Sequence, residues 1–142
     1  HFDWLNDMKQ TYGANIQFPI IADENLHVSK LYNMLPADTV AEGKRSAADN
    51  ATVRTVYIIS PDLKIKMMMA YPMTTGRDVE ELLRVVDSIQ LTAGHKVATP
   101  VNWRSGQDVI IAASVSDDEA KKLFPEGWKS VNAYTRVVGQ PK

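Results

Sequence analysis

Phe2, Leu5, Met8 and Tyr12 recur at spacings of three and four, which predicts one apolar helix face over residues 2–12. No capping residue precedes Phe2, so this helix starts uncapped and something is expected to precede it. The apolar run "FPIIAD" at 18–23 predicts a short strand. "ENLHVSKLYNM" at 24–34 predicts a helix with Val28, Leu31 and Tyr32 inward and Pro36 limiting its end. Residues 35–51, "LPADTVAEGKRSAADNA", are small, polar and turn-rich and read as an exposed loop.

Residues 52–59, "TVRTVYII", read as a buried strand, closed by the turn "SPDLK". "KIKMMMAY" at 64–71 returns antiparallel to it as a hairpin. Val79, Leu82, Leu83, Val86 and Ile89 form the apolar stripe of the strongest helix, with Thr75 and Asp78 resembling a capping box before it. Beyond about residue 95 the texture changes. A Pro- and Gly-punctuated crossing segment, "HKVATPVNWRSGQD", leads to a strand in "VIIAASV". A small helix follows, capped by Ser116 with Glu119 and ended by Pro125, then one more strand and a loose tail. The order predicts an α/β fold, a mixed sheet with helices packed on it, followed by a small α+β appendage.

Composition narrows the function. At 142 residues there is length for about one domain, and 44% hydrophobic with 23% charged residues is ordinary for a globular chain. A net charge of -1 offers no basic footprint for nucleic acid. No apolar run approaches the roughly 20 residues of a membrane span, and "HFDWLNDMKQ" lacks the basic start and apolar core of a signal peptide. These features favour the cytoplasm. The chain has no cysteine, which excludes disulfides, zinc–thiolate sites and a cysteine nucleophile within these residues. His1, His27 and His95 are scattered without ligand spacing, so no metal site is expected.

Arg54 poses an energetic question. Alternation puts it on the same side of its strand as Val56 and Ile58, and a charge in apolar surroundings costs several kcal/mol unless paired. It reads either as an edge-strand arginine that reaches water or as a fixed cation aimed at an anion or thiolate. Arg77 lies on a Thr- and Gly-containing turn at a helix start, where backbone N–H groups and the helix dipole favour an anion. Its alternative is an exposed arginine paired locally with Asp78 or Glu81. Asp62 reads as a turn-former, Met67, Met68 and Met69 as filling for a core and an interface, and Trp103 and Trp128 as packing anchors. No paired-carboxylate, Ser-His-Asp or phosphate-loop signature stands out.

The runs "VRTVYIISPD", "AYPMTTGRDVEELLRVVDSIQLT", "VATPVNW" and "EAKKLFPEGW" resemble, in that order, the second part of one-cysteine peroxiredoxins of the peroxiredoxin-six type. The resemblance extends over nearly the whole chain. It implies a partial thioredoxin-like domain over residues 1–92 and the family's C-terminal dimerisation domain over 93–142, hence a homodimer. It implies a cysteine thiolate that attacks a hydroperoxide, becomes a sulfenic acid and is reduced by an external thiol, with no cofactor. Arg54 matches the arginine that keeps the cysteine as thiolate and orients the peroxide, and Arg77 a second arginine near the same pocket. Asp78 stands where asparagine is common in relatives. The segment with the peroxidatic cysteine, its partner threonine, a glutamate and a histidine lies upstream of these residues. Some animal members are also assigned a phospholipase activity, whose aspartate falls at Asp62 and whose serine and histidine lie in that upstream part.

Two readings follow. One is the C-terminal portion of a thiol-dependent peroxidase, inactive without its cysteine. The other is a non-enzymatic dimerisation or interaction module derived from one. In either case strand edges and apolar surface are expected to be left uncovered.

Overall fold

The computed structural model describes residues 2–35 and 52–142, so most of the expected loop at 35–51 lies outside the described residues. These residues form two compact units, one running to Thr55 and including Ala70–Met73, the other Val56–Met69 with Thr74–Lys142.

The first unit opens with helix α1, Phe2–Tyr12. Leu5 and Met8 are half-buried on its apolar face, whereas Tyr12 is exposed. Gly13 ends the helix in the left-handed region (φ 65°), its N–H donating to the Lys9 carbonyl at 3.0 Å. The expected strand at 18–23 does not form. Phe18 and Ile21 are each 66% exposed, and among the described residues no strand lies beside them to take up their backbone hydrogen bonds.

Helix α2 is a short His27–Leu31, not the whole of 24–34. The Asp23 carboxylate organises its start, accepting from Val28 N at 2.9 Å, Ser29 N at 2.8 Å and Ser29 Oγ at 2.6 Å. These bonds, Ser29 Oγ foremost, hold the Asp23 carboxyl below the usual aspartate range. Leu26, not Leu31, is the residue driven inside. It is buried although its φ of 55° costs a non-glycine residue about 1–2 kcal/mol, while Leu31 points to solvent.

Strands β1 (Arg54–Ile59) and β2 (Ile65–Tyr71) pair with each other. A five-residue connection permits only the antiparallel arrangement. Its turn is built by Ser60, whose hydroxyl bonds the Asp62 carboxylate and the Lys64 carbonyl. Asp62 also sits 3.9 Å from Lys64 and 3.7 Å from Lys66, and the Ser60 bond depresses its pKa.

Helix α3, Val79–Gly94, begins three residues later than the expected Thr75–Asp78 box. Asp78 itself is the cap, its Oδ1 accepting from Glu81 N at 3.1 Å. The stripe also differs. Leu82, Val85, Val86, Ile89 and Leu91 are half-buried, but Val79 and Leu83 are exposed and no residue of the helix is fully buried.

The C-terminal part holds the core. Strands β3 (Val97–Ala98), β4 (Val109–Ile111), β5 (Lys129–Asn132) and β6 (Thr135–Val138) form an antiparallel sheet in the order β3-β4-β6-β5. Register pairs Val97 with Ile111 and Val109 with Val138, which puts all four on one face. That face packs with Trp103, Val115 and Ala120 into the hydrophobic core, with Leu91, Phe124 and Trp128 against it. Helix α4, Asp117–Leu123, is capped by Ser116, whose Oγ accepts from Glu119 N at 3.2 Å, as its sequence predicts. The final segment is a hairpin of two strands where one was expected. The tail residue Gln140 is tied back by Gly106 N at 2.5 Å.

Candidate functional site

Arg54 opens β1 and is half-buried. The backbone around it is fixed: Val53 N donates to Met34 O at 2.7 Å, and the next residue, Thr55, is buried. Arg54 is not without a partner among the residues around it. The strand therefore holds a cation where its own apolar alternation would put a Val or Ile.

Arg77 is exposed and immediately precedes the α3 cap. The helix start is less open to an outside anion than its sequence implies. Asp78 already occupies the Glu81 N–H, and Glu80 and Glu81 lie in the first turn. Glu81 is not Arg77's partner. Arg84 holds it instead, with Nε 2.5 Å from Oε2 and a second guanidinium nitrogen 2.8 Å from Oε1. The hydrogen bonds from Arg84 depress the Glu81 pKa, with its charge and that of Arg104 adding to the effect, and Glu81 in turn raises that of Arg84. Arg84 also reaches the Trp103 carbonyl at 3.4 Å, and a cavity of about 440 Å³ lies among Asp78, Glu81, Arg84, Asn102 and Arg104. The i, i+3 spacing of Glu81 and Arg84 was the sequence signal for this pair.

Arg54 and Arg77 belong to different compact units. Asp62 is an exposed turn-former, as its Pro-Asp context predicts. Trp103 and Trp128 are core anchors. Trp103 is 1% exposed, with its Nε1 donating to Gln107 O at 3.1 Å.

A second arginine of unusual setting, Arg136, was not singled out by sequence. Register pairs it with Ser130 and alternation puts it on the same face of β6 as Val138, the core side. There it donates to Asp117 Oδ1 at 2.7 Å, Val115 O at 2.5 Å and Ala112 O at 3.4 Å, and lies 5.8 Å from the centre of the Trp128 ring. Among the described residues no three His, Asp or Glu side chains gather as a metal site, and no helix is long and apolar enough to cross a membrane.

The described residues form a mixed α/β chain whose C-terminal end holds an antiparallel sheet with α3 packed against it. Residues 88–129 match the C-terminal domain of 1-Cys peroxiredoxin. The chain is 42% identical to 1-Cys peroxiredoxin of Dictyostelium discoideum over 142 residues, 99% of this chain and 55% of the relative. Among solved structures it resembles a cysteine-to-serine mutant of peroxiredoxin 6 from Arenicola marina, with a TM-score of 0.83 and 40% identity over 100% of this chain and 66% of that one. A yeast mitochondrial 1-Cys peroxiredoxin, described with a thiol-resolving mechanism via glutathione/thioredoxin systems, gives a TM-score of 0.86 at 39% identity, covering 98% of this chain and 64% of that one. The chain belongs to the one-cysteine peroxiredoxins and corresponds to their C-terminal part. It spans 55% to 65% of the length of the curated relatives it matches. Its mixed α/β fold, with peroxiredoxins as structural neighbours, is the fold class the resemblance implies.

Proposed function

We propose that these residues form the C-terminal part of a thiol-dependent peroxidase that reduces hydrogen peroxide and organic hydroperoxides through a cysteine sulfenic acid. The observation that carries the reading is Arg54, a half-buried cation at the start of an apolar strand in a chain of this family. A guanidinium so placed favours a thiolate over a thiol and orients a peroxide for attack. Arg77 contributes to substrate binding. The thiol comes from residues other than these, which contain no cysteine, so the 142-residue chain alone is inactive. Residues 1–92 supply part of the peroxidase domain, and residues 93–142 a dimerisation domain of a cytoplasmic homodimer. A small external thiol or thiol protein returns the sulfenic acid to thiol.

The test is steady-state hydroperoxide reduction by the full-length protein. Arg54→Ala is expected to lower kcat/KM roughly 100-fold or more, the scale seen when a charge-stabilising donor is removed from a reacting centre. A smaller loss is expected from Arg77→Ala, mostly in KM. Unchanged kinetics in Arg54→Ala would overturn the assignment.

A second reading, a non-enzymatic dimerisation module, draws on the enclosed core of the C-terminal part and the lack of cysteine. The intact mass of the natural protein separates the two. A mass matching 142 residues supports the module, and one larger by about half to four-fifths supports the peroxidase, since the chain covers 65% to 55% of the relatives' lengths.

A further inference from the structure

Four of the chain's six methionines lie within residues 67–73. The alternation of β2 sorts three of them. Met67 and Met69 are half-buried on one face with Tyr71, while Met68 shares the other face with the exposed Lys66 and Ala70. Met68 is 65% exposed, and Met73, in the turn after the strand, is 45% exposed. Without cysteine, thioethers are the only sulfur nucleophiles in these residues.

We propose that Met68 and Met73 are oxygen-acceptor sites, each taking one oxygen atom from a hydroperoxide without loss of the fold. A sulfur lone pair attacks the distal oxygen of ROOH. The S–O bond forms as the O–O bond breaks, the sulfur loses two electrons, and the departing alkoxide takes the hydroxyl proton and leaves as ROH. The product sulfoxide is polar and chiral. On the solvated face of β2 it stays hydrated and disturbs no packing. The same change at Met67 or Met69 would press a polar oxygen against half-buried side chains. Strand alternation thus offers one thioether to oxidant and withholds its two neighbours. The chemistry stands apart from the cysteine reaction, because it needs no thiol. Its reversal falls to methionine sulfoxide reductases, one for each epimer.

The experiment treats the 142-residue chain, which has no thiol to consume peroxide, with excess tert-butyl hydroperoxide and follows each methionine by peptide mass spectrometry. Met68 and Met73 are expected to gain oxygen several-fold faster than Met67 and Met69. The thermal midpoint should hold while only those two are modified, and the two reductases together should restore the starting mass. Met68→Leu should abolish the fast uptake at that position and leave uptake at Met73 unchanged. Equal rates across Met67, Met68 and Met69 would overturn the proposal, as would unfolding that tracks oxidation of Met68 and Met73.

Discussion

Arg136 and Arg54 are both strand arginines set among apolar neighbours, yet they belong to regions built in different ways. Around Arg136, everything needed to hold a charge on the core side of a sheet comes from the same module. One carboxylate, two carbonyls and an indole ring surround it, and Trp103, Val109 and Ile111 close the core beside it. The first unit, which holds Arg54, encloses far less. Among its described residues Leu26, Ser29 and Thr55 are buried, whereas Trp4, Tyr12, Phe18, Ile21 and Leu31 are exposed. A charge that its own region accounts for is a structural device. Arg54 also has an interaction of its own, and its half-buried place at the start of an apolar strand is what makes it a candidate for chemistry.

Trp103→Ala breaks the self-contained side of this contrast hardest. Emptying a core site of that size costs about 3–5 kcal/mol, read as a lower urea midpoint for the C-terminal module. Phe18 makes the complementary test. In the 142-residue chain Phe18→Ala is expected to change stability by less than about 0.5 kcal/mol, because the ring is already exposed. In the full-length protein the same change should cost about 3 kcal/mol if other residues cover the ring. Equal effects in the two chains would remove the distinction between the regions.

Arg136→Leu is expected to cost about 2 kcal/mol, since the carbonyls of Ala112 and Val115 lose a charged donor. Ser116→Ala, which removes the α4 cap, should cost about 1 kcal/mol. The smallest effect is a pH dependence. Asp23 has a depressed pKa, so its contribution is fully present above the ordinary aspartate value of about 3.9 and is lost as pH falls through the lower folded value. Asp23→Asn should flatten that part of the acid limb of the stability curve. An unchanged acid limb would show that the bonds to Val28 and Ser29 contribute little.

Elements that carry their own local signal were legible in the sequence. The spacing of Phe2, Leu5 and Met8 marked α1, Ser116 and Glu119 marked the start of α4, and the Pro-Asp turn marked the β1–β2 hairpin. What failed depends on neighbours. The "FPIIAD" run has strand composition but no strand beside it among the described residues, and Val79 and Leu83 have helical spacing but lie exposed. Asp78 capped α3 where Thr75 looked suitable, because the cap falls where the chain leaves extended backbone, which spacing alone does not fix. Arg54 stood out as a charge in an apolar strand. Arg136 did not, since the carbonyls that hold it are distant in sequence. The arginine proposed for chemistry was therefore visible through its misfit, and the structural one was hidden by long-range partners.

The most direct test of Arg54's role is the titration of the reactive thiol in the full-length protein, followed by its rate of alkylation against pH. Arg54→Ala is expected to raise that thiol's pKa, because a cation that favours thiolate has been removed, while Arg136→Leu should leave it in place. A thiol that titrates identically with and without Arg54 would contradict the assignment.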